Sequence, residues 1–385
     1  MVYSKVKSCN RLSVTEAGKD QIFLVASPGN DADAYRSSYF TYTQIAEVLE
    51  SKGMEIVQER IFGNLSFEPS VLAARTKAFE AENIPANGSL TYVHGNPPCG
   101  ERLAGVQIQA VKKGNDVWTI MDGNIPYGRK WIYNGLTYLV LQNIQSGSNG
   151  SQPNLAKPLQ ARLMIERADR ILRENGASYG DVVRTWFYLS DILDWYAGFN
   201  KVRNEKYGEF GIMPGPGDRR LLLPASTGIQ GEIPSGAACT MDLIAVLGSN
   251  SAKPNIKKLS NPIQFDAFRY GSAFARGSVI KNGSTDLIEV SGTAAIDEHG
   301  VSLYPGDIHS QIDCTLDKVQ ALLEQAGAGL RDICSATVFI KQPEFAEIFY
   351  EIASARGLED LPCICVVADV CREELLFEMD AEVVA

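Results

Sequence analysis

The chain has 385 residues, room for two or three domains of ordinary size, and 45% of it is hydrophobic against 21% charged, the profile of a globular protein. A formal net charge of −10 and the lack of any basic run argue against a surface that tracks phosphates, so no nucleic-acid partner is expected. No apolar run is long enough to cross a bilayer and the first residues carry no apolar targeting segment, so the expectation is no membrane partner and a cytoplasmic location.

In chain order, an apolar strand is predicted at 22–29 (IFLVASPG). A helix, Gly53 and a strand follow at 42–63, then a second helix at 69–83 and a closing strand pair at 89–95 and 103–111. The same order returns with a strand at 136–144, and then a helix, Gly176 and a strand over 167–189. A helix at 192–210 and strands at 221–229 and 238–246 complete this copy. It returns again with a strand at 287–296, a helix, Gly327 and a strand over 317–340, a helix at 343–357 and strands at 362–371 and 375–384. Gly176 and Gly327, Asp181 and Asp332, and Leu189 and Ile340 are all separated by the same interval, so the later two copies align without a gap. Each glycine sits where a helix end calls for positive φ.

The chain therefore reads as three tandem β-α-β-α-β-β modules, 1–113, 114–255 and 256–385. Two helices on one face of a sheet leave the other face uncovered, and three such sheets closing on one another would cover it.

The stretch VSGTAAIDEHG with PGDIHSQIDCTLDKVQALLEQAGAGLRDICSATVFIK, and the ending PCICVVADVCREELLFEMDAEVV, resemble the RidA (YjgF, endoribonuclease L-PSP) superfamily. NPIQFDAFRYGSAFARG, RTWFYLSDI with FNKVR, LPASTGI and ADVCREELLFE look like its chorismatase branch, which includes 3-hydroxybenzoate synthases. The resemblance implies an α/β (α+β) fold of the chorismate-mutase type. Here it would form an intramolecular pseudo-trimer, a monomer with higher assembly possible, with a small-molecule cleft at each seam. Two features depart from the branch: Ile263 stands where it usually carries arginine, and the loop before Phe-Ala-Arg is shortened to GSA.

Aligning the last strands on Ala110, Ala245 and Ala381 places Gln107, Asp242 and Glu378 at one position. A carboxyl on a strand lining an interface is desolvated and becomes a proton donor near neutrality. The resemblance also implies a functional acid at Glu378. Alternation along the strand leaves a solvent-facing edge carboxylate as the competing placement. Cys371 matches a residue that resembles the one separating product types, and cysteine there looks like the 3-hydroxybenzoate-forming class; a buried structural thiol is the other reading.

The imine deaminases of the superfamily use an arginine shortly after a proline. Here Pro362 is followed by Cys363 and Ile364, and Ser226 follows Pro224 by two, so that arginine is missing. Substrate carboxylates would instead meet Arg203, Arg219, Arg220, Arg269, Tyr270 or Lys341, with Asn200 matching a site asparagine of the deaminases. No cysteine pair has C-x-x-C spacing, so no metal and no cofactor is expected. The expected partner is a small-molecule carboxylate. The expected activity is chorismatase-like release of pyruvate with Glu378 as general acid. The alternatives are an enamine/imine deaminase and a non-catalytic binding protein.

Overall fold

The computed structural model describes residues 11–29, 33–100, 102–114, 116–147, 155–215, 221–248, 254–283 and 285–385. The first copy contains β1 (Arg11–Ala17), β2 (Gln21–Ser27), α1 (Ala34–Lys52), β3 (Met54–Gly63), α2 (Glu68–Ala81), β4 (Thr91–His94) and β5 (Leu103–Lys112). The second contains β6 (Val117–Asp122), β7 (Ile125–Tyr133), β8 (Leu136–Ile144), α3 (Lys157–Glu174), β9 (Val182–Leu189), α4 (Ile192–Glu209), β10 (Ala225–Gln230) and β11 (Cys239–Leu247). The third contains β12 (Asn255–Leu259), β13 (Gly277–Lys281), β14 (Leu287–Ala294), α5 (Ile308–Glu324), β15 (Ile333–Ile340), α6 (Phe345–Ala355), β16 (Cys363–Val367) and β17 (Phe377–Val384).

The β-α-β-α-β-β order expected from sequence is present three times, and each closing strand lies in the middle of its own sheet. The sheet orders are β1-β2-β5-β3-β4, β10-β9-β11-β8-β7-β6 and β12-β13-β14-β17-β15-β16. Within each copy, the strands before and after the second helix pair in parallel, since a helical crossover returns the chain in the same direction. Gly53, Gly176 and Gly327 take φ of 59°, 81° and 77°, the turn out of the helix that the repeat calls for. The sequence reading missed β1, β6, β7, β12 and β13, which add antiparallel edges. In β6 and β12 the burial pattern mixes exposed and half-buried residues, which leaves little apolar alternation to detect.

Helices cover one face of each sheet and build a separate apolar core there. The opposite faces of all three sheets share one further core, to which Phe23, Phe62, Trp131, Trp186, Tyr188, Phe339 and Ile364 contribute. Phe62 meets Tyr188 at 6.1 Å and Phe339 at 6.5 Å between ring centroids, so one aromatic from each copy converges on the pseudo-threefold axis. Buried ion pairs cross between copies beside them: Arg60 with Glu382 at 2.5 Å, and Arg184 with Asp380 at 3.0 Å. The two guanidiniums lie 4.1 and 4.2 Å from the Trp186 ring centroid. Among the described residues no helix is long and apolar enough to cross a membrane.

The strand register corrects one alignment made from sequence. The three converging aromatics Phe62, Tyr188 and Phe339 stand opposite Gly105, Thr240 and Glu378. Glu378 is therefore the counterpart of Gly105 and Thr240, whereas Gln107 and Asp242 correspond to Asp380. The alignment on Ala110, Ala245 and Ala381 therefore sets the third strand two residues out of register. A two-residue slip keeps every side chain on its own face, so polarity alone does not reveal it.

Candidate active site

The seam between the second and third copies brings together α4, β10, β14, β17 and two connecting segments. Tyr196, Asn200 and Arg203 recur at intervals of four and three along α4 and so share one helix face. Strand β10 contributes Ser226 and Gly228, and β14 contributes Gly292 and Ala294. The segment before β13 contributes Tyr270, Ser272, Phe274 and Arg276. Cys371 and Arg372 precede β17, which supplies Glu378. All of these but Asn200 line a narrow cavity of about 40 Å³.

Glu378 is 4% exposed. Burial pushes its carboxyl up to about 8, the negative charge of Asp380 adds to this, and Arg184 and Arg276 oppose it. The group is therefore mostly protonated at neutral pH and able to donate. Its place is made by a bulge: the pairing of β14 with β17 shifts between Val290 and Thr293, which puts Gly292 beside the carboxyl. A Cβ on Gly292 would lie 2.1 Å from Glu378 Oε1. Gly292→Ala is expected to drive the carboxyl from its seat, with loss of activity and little loss of secondary structure, read by turnover beside circular dichroism.

Two guanidiniums face the same cavity. Arg203 is 1% exposed and donates to Asn200 Oδ1 at 2.6 Å and Ser226 Oγ at 3.5 Å, while its Nε has no partner. Arg276 is 2% exposed and donates to the carbonyl of Phe265 at 2.7 and 3.1 Å and to the Tyr270 hydroxyl. Among the described residues neither forms an ion pair with a carboxylate, although a buried positive charge is costly without one. Burial pushes the Cys371 thiol up to about 12, so it lines the cavity as a neutral group. Tyr196 is likewise held protonated by burial.

The structure thus gathers Glu378, Cys371, Arg203 and Tyr270 around one cavity, with Asn200 positioning Arg203. It places Arg269 against the Phe265 ring at 5.0 Å, outside the lining. Lys341 is also outside, held by Asp369 at 3.3 Å and Glu373 at 3.1 Å. Arg219 and Arg220 lie outside the described residues. The sequence reading missed Tyr196, Arg276 and Arg372 as site residues. The Phe-Ala-Arg stretch already contained Arg276, and the ADVCREELLFE motif contained Arg372, whose guanidinium binds the Gly300 carbonyl. The strand position at Ser226 lacks the arginine sought there, and the guanidinium beside it comes from helix α4. Among the described residues no cluster of three or more His, Cys, Asp or Glu could hold a metal.

The other two seams differ chemically. Between the first and second copies, Thr240 stands in place of Glu378. The bulge residue there is Asn143, at φ 54°, and it accepts a hydrogen bond from Thr240 at 3.1 Å. Arg75 on α2 is bound by Glu59 through three contacts of 2.6 to 3.0 Å. Between the third and first copies, Gly105 stands in place of Glu378, and a Cβ there would lie 2.8 Å from the Ile364 side chain.

Residues 273–385 match the family model described as Endoribonuclease L-PSP. A RutC family protein of Pyrococcus abyssi is 32% identical over 98 residues, 25% of this chain and 76% of that protein. A 3-hydroxybenzoate synthase of Streptomyces hygroscopicus is 25% identical over 240 residues, 55% of this chain and 66% of that protein, just under two thirds of its length. A crystal structure of a chorismatase superposes over 99% of this chain and 100% of its own, with a TM-score of 0.63 at 18% identity, a likeness of fold.

Proposed function

Because the chain belongs to the RidA-like (endoribonuclease L-PSP) superfamily and resembles its chorismatase branch, we propose that the seam of the second and third copies cleaves a small carboxylated enol ether, chorismate or a relative, and releases pyruvate without a cofactor. The observation that carries this reading is the placement of the buried Glu378 carboxyl in one cavity with two buried guanidiniums that have no carboxylate partner among the described residues. Two carboxylates on a substrate would supply the missing counter-charges.

The chemistry follows from where the proton sits. Glu378 donates to the methylene carbon of the enolpyruvyl group, a C–H bond forms, and positive charge develops on the adjacent ether carbon. Water adds to that carbon, and the carboxylate left on Glu378 takes up the proton it releases. The hemiketal hydroxyl then gives its proton to the ether oxygen as the ether C–O bond breaks, so pyruvate leaves with a ring diol, and loss of one water from the diol gives 3-hydroxybenzoate. Arg203 and Arg276 fix the carboxylates, and the neutral Cys371 thiol shapes the wall beside the ring. Substrate is larger than a cavity of about 40 Å³, so entry requires the lining to part.

Incubation of the protein with chorismate is expected to release pyruvate, read by lactate dehydrogenase coupling, with 3-hydroxybenzoate as the aromatic product. No pyruvate from the wild type rejects chorismate as substrate. The active form carries the Glu378 proton, so kcat/KM is expected to hold through neutrality and to fall as pH rises through about 8. An activity that instead rises through that range would assign Glu378 a basic role.

A further inference from the structure

The seam between the first and second copies holds a cavity of about 340 Å³, wider than the one beside Glu378. Its wall is partly apolar, with Leu90, Ile125 and Pro234, and partly amide and hydroxyl, with Asn143, Gln145 and Ser235. Glu68 is, among the described residues, the one charged residue in the lining. Among the described residues it has no ion-pair partner, and its charge is met by the amino-terminal dipole of its own helix α2.

Two cations behind these walls are already neutralised. Arg167, stacked on the Tyr127 ring at 4.3 Å and bonded to the Gln145 carbonyl, is held by Asp122 at 2.7 and 2.8 Å. Arg75 is held by Glu59, whose backbone bonds the Gln142 side chain. The charge pattern is the reverse of that beside Glu378: an acid with no ion-pair partner among the described residues, where the other seam has cations without carboxylate partners beside a buried acid. An anion entering here would meet Glu68 and, among the described lining residues, no cation. An amine would find a carboxylate, and Gln145 Oε1, which accepts from Ser235 at 2.8 Å, keeps a second lone pair for one of its N–H groups.

We propose that this seam is a second binding site, selective for a small organic cation carried on an apolar body, and that it does not take the carboxylated substrate. The site has no acid at the position of Thr240, so it binds without turnover.

Three probes of one shape separate the possibilities: benzylamine, benzyl alcohol and benzoate, titrated calorimetrically into the full chain. Benzylamine is expected to bind about tenfold more tightly than benzyl alcohol, and Glu68→Gln to erase that preference. Unchanged thermal unfolding of Glu68→Gln would show that binding, and not the fold, was lost. Equal affinity for amine and alcohol, no amine binding, or a preference that survives Glu68→Gln would overturn the proposal. None of these readouts involves enol ether turnover, so the result is independent of the activity at Glu378.

Discussion

Glu378→Gln is expected to lower kcat by about 10² to 10⁴, the usual contribution of a positioned general acid, while leaving the fold intact. Glutamine has nearly the same shape and fits the space against Gly292, but its amide cannot deliver a proton to carbon. The group it replaces is mostly neutral at pH 7, so the exchange neither strands nor creates a buried charge. Stability measured by thermal unfolding is therefore expected to stay close to wild type while turnover collapses. A variant that keeps the wild-type rate would remove Glu378 from the chemistry. Asp380→Asn supplies a second readout. Asp380 is two residues along the same strand and is bound by Arg184, Thr227 and Trp186. Its negative charge helps hold the Glu378 proton, so its loss is expected to move the alkaline fall in activity to lower pH.

The second large effect is expected at the two guanidiniums, and it has opposite signs for function and stability. Removing one charged partner of a buried substrate carboxylate costs about 2–5 kcal/mol, so Arg203→Met or Arg276→Met should reduce kcat/KM by about 30-fold to several thousand-fold, mainly through KM. Among the described residues neither arginine has a carboxylate partner, so methionine also removes a buried charge without a counter-ion and is expected to raise Tm. Arg75→Met is the contrast. It strands the fully buried Glu59 without its guanidinium, and is expected to lose about 3–5 kcal/mol of stability with no direct effect on turnover. Unfolding curves beside steady-state kinetics on the three variants check this. Loss of stability in Arg203→Met equal to that in Arg75→Met would mean that Arg203 is a structural ion and not a substrate ligand.

The repeat was legible in sequence because its markers are local: helix periodicity, a glycine at each turn, and an apolar strand after it. What the sequence hid was mostly non-local. Glu378 could be marked as an acid on a closing strand, but its counterparts were misassigned because a shift of two leaves the in-out pattern unchanged. Ser226 showed that the usual arginine was absent, yet nothing local said that Arg203, on the preceding helix, would reach the same place. Lys341 and Arg269 looked equally able to bind a carboxylate until the fold gave one to acidic loop residues and the other to an aromatic ring. Long charged side chains are hard to assign in this way, because their partners are decided by tertiary contacts.

Joining the three copies in one polypeptide changes how many events one molecule can carry out. In an assembly of identical subunits any substitution is made three times over, so no interface can be altered without altering its siblings. Here Ile364 can plug one junction and Glu59 can neutralise another while a third keeps its acid. Active-site titration with a tight inhibitor should accordingly reach its end point at one equivalent per polypeptide, where a symmetric assembly would take one for every copy of the repeat.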